Sequence, residues 1–249
     1  MPDSRLQDSV ALVTGGAGDI GLAIAAKLIE CGAHVVIADV DLERATEAMT
    51  SLGGARSAAS AVGIDLADPI QCRSLVEQTV SDHGSLATVV NCAAVTRRGL
   101  ISEISQSDWD RIVAVNLSAV FWTCKAAIEH MEKAGDGVIV NVGSIAGLRG
   151  LPGSPAYAAT KGGVIALSRA LAIDYAASGV RVHVVNPPAV DTQLFRAMFA
   201  NENDPVEARR RFEAGEGAGR VLKREEIAAL VVFLAEGNGP VYSPEPLVT

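Results

Sequence analysis

Tyr157 and Lys161, four positions apart in the run Tyr157-Ala158-Ala159-Thr160-Lys161, are the side chains of this sequence best suited to pass a proton, and Ser144 stands thirteen positions before the tyrosine. The run opens a stretch, YAATKGGVIALSRALAIDYA, whose apolar residues recur at helical spacing after a Pro/Gly/Ser-rich segment, which predicts a helix start. Residues four apart share a helix face, so phenol and ammonium would be neighbours. A free tyrosine, with a pKa of about 10, is a poor base near neutrality. A unit positive charge about 4 Å away, at an effective dielectric near 20, favours the phenolate by roughly 4 kcal/mol, or about three pKa units. On that reckoning Tyr157 exchanges protons near pH 7 while Ser144 holds a substrate oxygen, an arrangement suited to redox chemistry on an alcohol or ketone. Taken alone, the pair fits at least as well a tyrosine at a helix start with a solvated lysine one turn later.

The N-terminal part supplies the context that the pair needs. Residues 9–13 form a short apolar run, Thr14-Gly15-Gly16-Ala17-Gly18-Asp19-Ile20-Gly21 is a glycine-rich turn, and residues 22–29 carry one apolar helical face. Strand, turn and helix in that order make a phosphate cradle, since glycines admit a pyrophosphate close to the backbone and the helix N-terminus offers free N–H groups. After Gly32 a second buried-type strand, His34-Val35-Val36-Ile37-Ala38, ends at Asp39. A carboxylate about 20 residues beyond such glycines is placed to grip the adenosine ribose hydroxyls. The same charge repels a 2′-phosphate, and Val40 offers no compensating cation, so NAD is expected over NADP.

Together these residues resemble the classical short-chain dehydrogenase/reductase family, over nearly the whole chain. Its glycine motif TGxxxGxG lies on Thr14 to Gly21, its NNAG motif on Asn91-Cys92-Ala93-Ala94, and its catalytic asparagine on Asn116 within Val115-Asn116-Leu117. Its site serine falls on Ser144, its tyrosine and lysine on Tyr157 and Lys161, its adenine-contacting aspartate on Asp65, and its NPGxVxT loop on Asn186-Pro187-Pro188-Ala189-Val190-Asp191-Thr192. The resemblance implies hydride transfer between a nicotinamide and a secondary alcohol carbon, with Asn116, Ser144, Tyr157 and Lys161 as the catalytic set. Lys161 would lower the tyrosine pKa and hold the nicotinamide ribose, Asn116 would hold a water linking Lys161 to solvent, and Thr192 would help fix the carboxamide. Cofactor contacts are implied at Gly15, Gly18, Asp19, Ile20, Gly21, Asp39, Asp65, Leu66, Asn91, Ala93, Tyr157, Lys161, Pro187, Val190 and Thr192.

Four places depart from the family pattern. Asp19 replaces the middle glycine of the loop and puts a carboxylate near the expected diphosphate; it is expected to face solvent or cap the helix, where Asp is favourable. Ala94 replaces the last glycine of NNAG. Pro188 replaces the glycine after Pro187, with loss of an N–H and of φ freedom. The chain ends at Leu247-Val248-Thr249 after Ser243-Pro244-Glu245-Pro246, where the family has a strand followed by Asp-Gly-Gly, so a short last strand is expected and a subunit contact commonly made there is in doubt.

Strand-like runs at 10–13, 35–38, 88–90, 138–142 and 180–185 alternate with helix-length segments. That alternation predicts an α/β fold, a Rossmann-type doubly wound parallel sheet with helices on both faces, in one domain spanning 1–249. Net charge is −8 and pI about 5.0, which argues against a nucleic-acid or anionic-membrane partner. No signal core opens the chain and no window holds 18 apolar residues, so a cytoplasmic protein is expected. Cys31, Cys72, Cys92 and Cys124 have no metal-type spacing and are read as reduced thiols; His34, His83, His130 and His183 are scattered, and no metal site is expected.

The pocket is expected from Val95-Thr96-Arg97-Arg98, residues 145–155 and a substrate lid at about 193–220, where Phe195, Met198 and Phe199 recur at near-helical spacing. Those aromatics equally suit a helix packed on its own domain. Arg97, Arg98 and Arg149 could meet an acidic group on a substrate, although solvated arginines are the simpler reading. A small free ketone or alcohol is the first expectation. A 3-oxoacyl thioester on a carrier protein or CoA is the second, because the stretch from Ala93 to Leu100 resembles the carrier-protein reductases; yet the places where those dock an acidic carrier hold Gly135, Asp136 and Ser178. A sensor or scaffold that binds NAD without turnover stays open on the strength of the altered loops. By resemblance, a homo-oligomer, tetramer or dimer, is expected through two long helices at about 107–133 and 157–178.

Overall fold

The computed structural model describes residues 5–53, 58–197, 204, 206, 207, 209, 210, 221–238 and 247–248. Val10–Thr14 (β1), Thr88–Asn91 (β4) and Gly137–Val142 (β5) are buried at every residue, because helices cover both faces of their sheet and leave no strand side to water. With His34–Asp39 (β2), Ala59–Gly63 (β3), Val180–Asn186 (β6) and Leu247–Val248 (β7) they form a seven-stranded parallel sheet in the order β3-β2-β1-β4-β5-β6-β7. The order reverses between β1 and β4, and a ligand crevice opens at the carboxyl ends of strands at such a switch point.

Alternate strand residues feed two cores. On one face Ala11, Val13, Val35, Ile37, Val138 and Val140 pack under Asp19–Glu30 (α1) and Arg224–Ala235 (the last helix, α9). On the other, Leu12, Val36, Val89, Ile139 and Val182 meet Pro69–His83 (α3), Ala119–Ala134 (α5) and Pro155–Tyr175 (α7). Leu42–Ser51 (α2), Gln106–Val113 (α4), Ala146–Arg149 (α6) and Gln193–Ala197 (α8) are further helices. Local signals set several ends: Asp41 and Asp68 cap α2 and α3 by accepting from Arg44 N and Ile70 N, and Gly84 and Gly135 close α3 and α5 in the left-handed region.

The expected helix at 107–133 is continuous over Gln106–Ala134, with a wider π turn at Ala114–Ser118. By length and composition it suffices to cross a membrane, but 56% of its apolar window lies buried within the domain, as in a core helix. The helix expected from 157 starts at Pro155 and passes into a 3-10 turn at Ala176–Ser178. Met198, Phe199, most of the expected lid and residues 243–246 lie outside the described residues.

Candidate active site

Gly15 follows β1 and Ala93 follows β4, so the two sides of the switch point meet at these residues. The contact leaves no room for a side chain: a Cβ on Gly15 would lie 2.7 Å from Ala93 Cα, and φ there is +62°. A Cβ on Gly21 would run into the Gly15 carbonyl oxygen, which keeps the turn folded onto the start of α1. Gly18 caps α1 without a side-chain hydrogen bond, so the first-turn N–H groups are left for an anion. From this point a cleft of about 660 Å³ runs along the strand ends. Asp39, buried to 8% exposure at the end of β2, stands at one end of it, and Asp65 with Leu66 at the loop after β3. Ala93, Pro187, Val190 and Thr192 line the remainder toward Ser144 and Tyr157. The glycine cradle, the uncapped helix start and the terminal carboxylate fit a nicotinamide dinucleotide.

The catalytic side chains are fixed from three elements. Asn186 Oδ1 at the end of β6 accepts from Ser144 N at 3.2 Å, while Ser144 Oγ accepts from Ala146 N at 3.1 Å. A Cβ on Gly147 would lie 2.6 Å from Gly162 N, so the Ser144 loop sits directly on the α7 backbone beside Lys161. Ser144 stands close enough for its hydroxyl to favour the ionised form of the Tyr157 phenol. Lys161, only 2% exposed, donates from Nζ to the Val142 carbonyl at 2.6 Å and lies 5.7 Å from the centre of the Tyr157 ring.

The expected lowering of the tyrosine pKa is not what this environment does. Burial pushes the Tyr157 phenol up to about 12, the Ser144 hydroxyl acts the other way, and Cys92 adds to the rise. Burial likewise draws Lys161 down to about 8. The simple Coulomb argument counted attraction between the pair but omitted the cost of holding either charge away from water.

Two of the expected catalytic and cofactor residues lie outside the cleft lining, as do Arg97 and Arg149 of the expected pocket. Asn91 is 4% exposed and donates from Nδ2 to Asn141 Oδ1 at 2.8 Å while its own Oδ1 accepts from Thr123 Oγ1 at 2.8 Å. With Asn141 donating to Ser168 Oγ at 2.9 Å, this network braces β4 and β5 against α5 and α7. Asn91 therefore supports the strand ends instead of offering its side chain to the cofactor. Asn116 lies in the π turn, fully buried: its Oδ1 accepts from Val95 N and its Nδ2 donates to Val95 O, both at 2.8 Å, and Nδ2 also reaches Thr160 Oγ1 at 3.3 Å. Its side chain is thus engaged within the protein, with Val95 and Thr160.

Asp19 neither faces solvent alone nor caps α1. Its Oδ2 accepts from Gln193 N at 2.6 Å and its Oδ1 from Arg224 Nη1 at 3.0 Å. The carboxylate thus ties the glycine loop to both ends of the segment that joins β6 to α9. Below that tie, Val190 bridges Leu222, and Asp191 N donates to Leu222 O at 2.9 Å. Arg44, Arg111 and Cys92 are among the lining residues that went unrecognised in the sequence. Arg44 reaches the Ala17 carbonyl at 3.3 Å beside Asp39, Arg111 grips both Asp65 oxygens at 3.0 and 3.1 Å, and Cys92 lies in the cleft within electrostatic reach of Lys161. Each comes from a helix or strand end whose neighbours only the folded sheet reveals; Arg44, on the first turn after Asp39, was the most accessible to a helical-spacing argument. Ala94 and Pro188 also line the cleft.

The family model described as short chain dehydrogenase matches residues 9–203. The chain is 36% identical over 235 residues to a 4-formylbenzenesulfonate dehydrogenase of Comamonas testosteroni, covering 94% of this chain and 93% of that protein. It is 37% identical over 229 residues to a cis-4-hydroxycyclohexanecarboxylate dehydrogenase of Sinomonas cyclohexanicum, covering 92% and 89%. Among solved structures, an NAD+-bound xylitol dehydrogenase superposes with a TM-score of 0.90 at 25% identity, over 98% of each chain. With the doubly wound sheet and the Ser144, Tyr157 and Lys161 geometry already in place, these matches make the chain a member of the short-chain dehydrogenase family of oxidoreductases.

Proposed function

We propose that the chain is an NAD-dependent dehydrogenase or reductase of a small secondary alcohol or ketone, with Tyr157 as the acid/base. The observation that carries this reading is Tyr157 beside buried Lys161, with the Ser144 loop packed on the same helix, in the cleft that ends at Asp39. A nicotinamide held in the cleft supplies the hydride acceptor or donor. Ser144 donates to the substrate oxygen and orients it toward the phenol. Tyr157, with its pKa near 12, enters carbonyl reduction carrying its proton and delivers it to the developing alkoxide. In the reverse direction it takes the alcohol proton, helped by Lys161. Asp39 holds the ribose hydroxyls, and its charge supports NAD over NADP.

A small free substrate is favoured over a carrier-bound thioester. At the expected docking positions, Asp136 pairs with Arg5 and Arg181, and Ser178 Oγ donates to Glu132, so the cations on this face are already engaged within the chain. The test is absorbance at 340 nm with NAD and separately with NADP across secondary alcohols, sugars, hydroxysteroids and 3-hydroxyacyl thioesters. Turnover with NAD that Tyr157→Phe lowers by at least a thousandfold, while NADH binding stays within about twofold, is expected. A residual rate within tenfold would remove Tyr157 as the acid/base, and silence over the panel with NADH still bound would favour a sensor.

A further inference from the structure

Resting on the dehydrogenase reading above, we infer that Arg98 is a substrate-recognition residue and that the alcohol or ketone this site takes carries an anionic group, a carboxylate or a sulfonate, away from the reacting carbon.

The inference starts from how the arginine is held. Gly99 N donates to Gly153 O at 2.9 Å, which pins the stretch after β4 to the loop just before α7. Arg98 Nη2 donates to Pro152 O at 3.0 Å, so the guanidinium is drawn against the same loop, four to five residues ahead of Tyr157. The side chain is part-buried and lines the cleft. Among the described residues no carboxylate pairs with it, whereas the other arginines of this cleft are engaged at its cofactor end: Arg111 with Asp65, and Arg44 with the Ala17 carbonyl.

The surroundings sharpen the point. From the stretch after β4, the Ser144 to Tyr157 segment and α8, the cleft is lined by apolar Val95, Ile145, Leu151 and Phe195 and by polar Thr96 and Ser154, and these segments add no acidic side chain to the lining. Apart from buried Lys161, which is bonded to Val142 O, Arg98 is the charge that this end presents among the described residues. An apolar wall with one anchored guanidinium suits a substrate with a hydrocarbon body and an acid group. A cation in a low-dielectric cleft selects for such a partner, since guanidinium and carboxylate or sulfonate form charge-assisted hydrogen bonds. The rest of the molecule is acidic, with net charge −8, so the preference must be local to this residue.

The experiment pairs each hydroxy acid, carboxylate or sulfonate, with its neutral amide or sulfonamide, at several spacings between the acid and the alcohol carbon. Wild type, Arg98→Lys and Arg98→Met are compared for kcat/KM, and binding of each compound to the NADH complex is followed by NADH fluorescence. In wild type the acids are expected to exceed their neutral partners by at least tenfold in both readouts at the best spacing. Arg98→Met should raise KM for the acids ten- to hundredfold and leave the neutral compounds and NADH affinity within about twofold; Arg98→Lys should restore part of the loss. Equal handling of acids and amides by wild type, or an equal loss for both in Arg98→Met, overturns the inference. Turnover without acid preference keeps the dehydrogenase reading and removes this one. Acid preference in binding without turnover does the reverse.

Discussion

Replacing Asp19 and Arg224 singly and together tests whether a carboxylate beside a phosphate loop is neutralised by its neighbours. The pair is partly exposed, with side-chain accessibilities of 23% and 44%, so the ion pair itself contributes roughly 0.2–1 kcal/mol. The bond from Gln193 N, at 2.6 Å, is charge-assisted and part-exposed, and adds about 1.5 kcal/mol. Asp19→Ala should therefore cost about 2 kcal/mol, a fall in Tm of about 4–8 °C for a chain of this size. Asp19→Asn, which keeps an acceptor for Gln193, should cost about half as much. Arg224→Met has the more informative consequence for function. It leaves the Asp19 charge uncompensated at the start of α1, where N–H groups await a diphosphate. Two like charges about 8 Å apart at an effective dielectric near 40 repel by about 1 kcal/mol, or roughly fivefold in Kd. NADH fluorescence titration should show that weakening in Arg224→Met, a tightening in Asp19→Asn, which leaves Arg224 without its Asp19 partner, and near-wild-type affinity in the double variant. Differential scanning fluorimetry on the same proteins gives the stability coupling. NADH affinity unchanged by Arg224→Met, together with an unshifted Tm for Asp19→Ala, would refute the reasoning.

Lys161→Met should alter the pH dependence of stability in the cofactor-free protein. The lysine falls from 10.5 to about 8 on folding, so the unfolded chain binds the extra proton between those values and wild type gains stability as pH rises through them. Relative to Lys161→Met, wild type should gain about 2 kcal/mol between pH 7 and 9.5 in urea unfolding; parallel curves would show that burial does not depress this lysine. Asp39→Ser should move the ratio of kcat/KM toward NADP without any added cation, because Arg44 already lines that end, and Arg44→Gln in the same background should cancel the shift. Phe121 and Ile173 are exposed apolar side chains, at 44% and 59%, on α5 and α7, the two helices through which a homo-oligomer is expected to form. Light scattering should return a multiple of 25.7 kDa; a single-subunit mass would remove that expectation.

The parts of this protein legible in its sequence are those where one local pattern fixes one local structure. Thr14 to Gly21 reads as a phosphate turn because its glycines have no substitute at Gly15 and Gly21, and Tyr157 with Lys161 reads as a helical pair because spacing alone brings them to one face. β3 escaped because Ala59-Ser60-Ala61-Val62-Gly63 is small and partly exposed; its identity as a strand comes from pairing with β2, not from its own hydrophobicity. Asp19 could not be placed because its partners lie 174 and 205 positions away. Asn91 was carried to the cofactor by its motif, but its side chain answers to Asn141 and Thr123, a contact made only when β4, β5 and α5 are assembled. The Tyr157 pKa was misjudged for a related reason: charge can be counted along a chain, whereas dehydration depends on the packed cleft.

The π turn at Ala114–Ser118 makes chain length itself a determinant at this site. Ala119 N reaches back five residues to Ala114 O, so the turn holds one residue more than an α-helix would need. Deleting any residue of the turn would restore ordinary winding and rotate α5 by about 100° relative to α4. Thr123 and Cys124, which face Asn91 and Asn141, would swing out of the core, and the Asn116 side chain would leave the Val95 backbone. A substitution in this turn changes one contact, whereas an insertion or deletion re-indexes a helix; related sequences that keep Asn116 in its role must therefore keep this turn's residue count, whatever its composition.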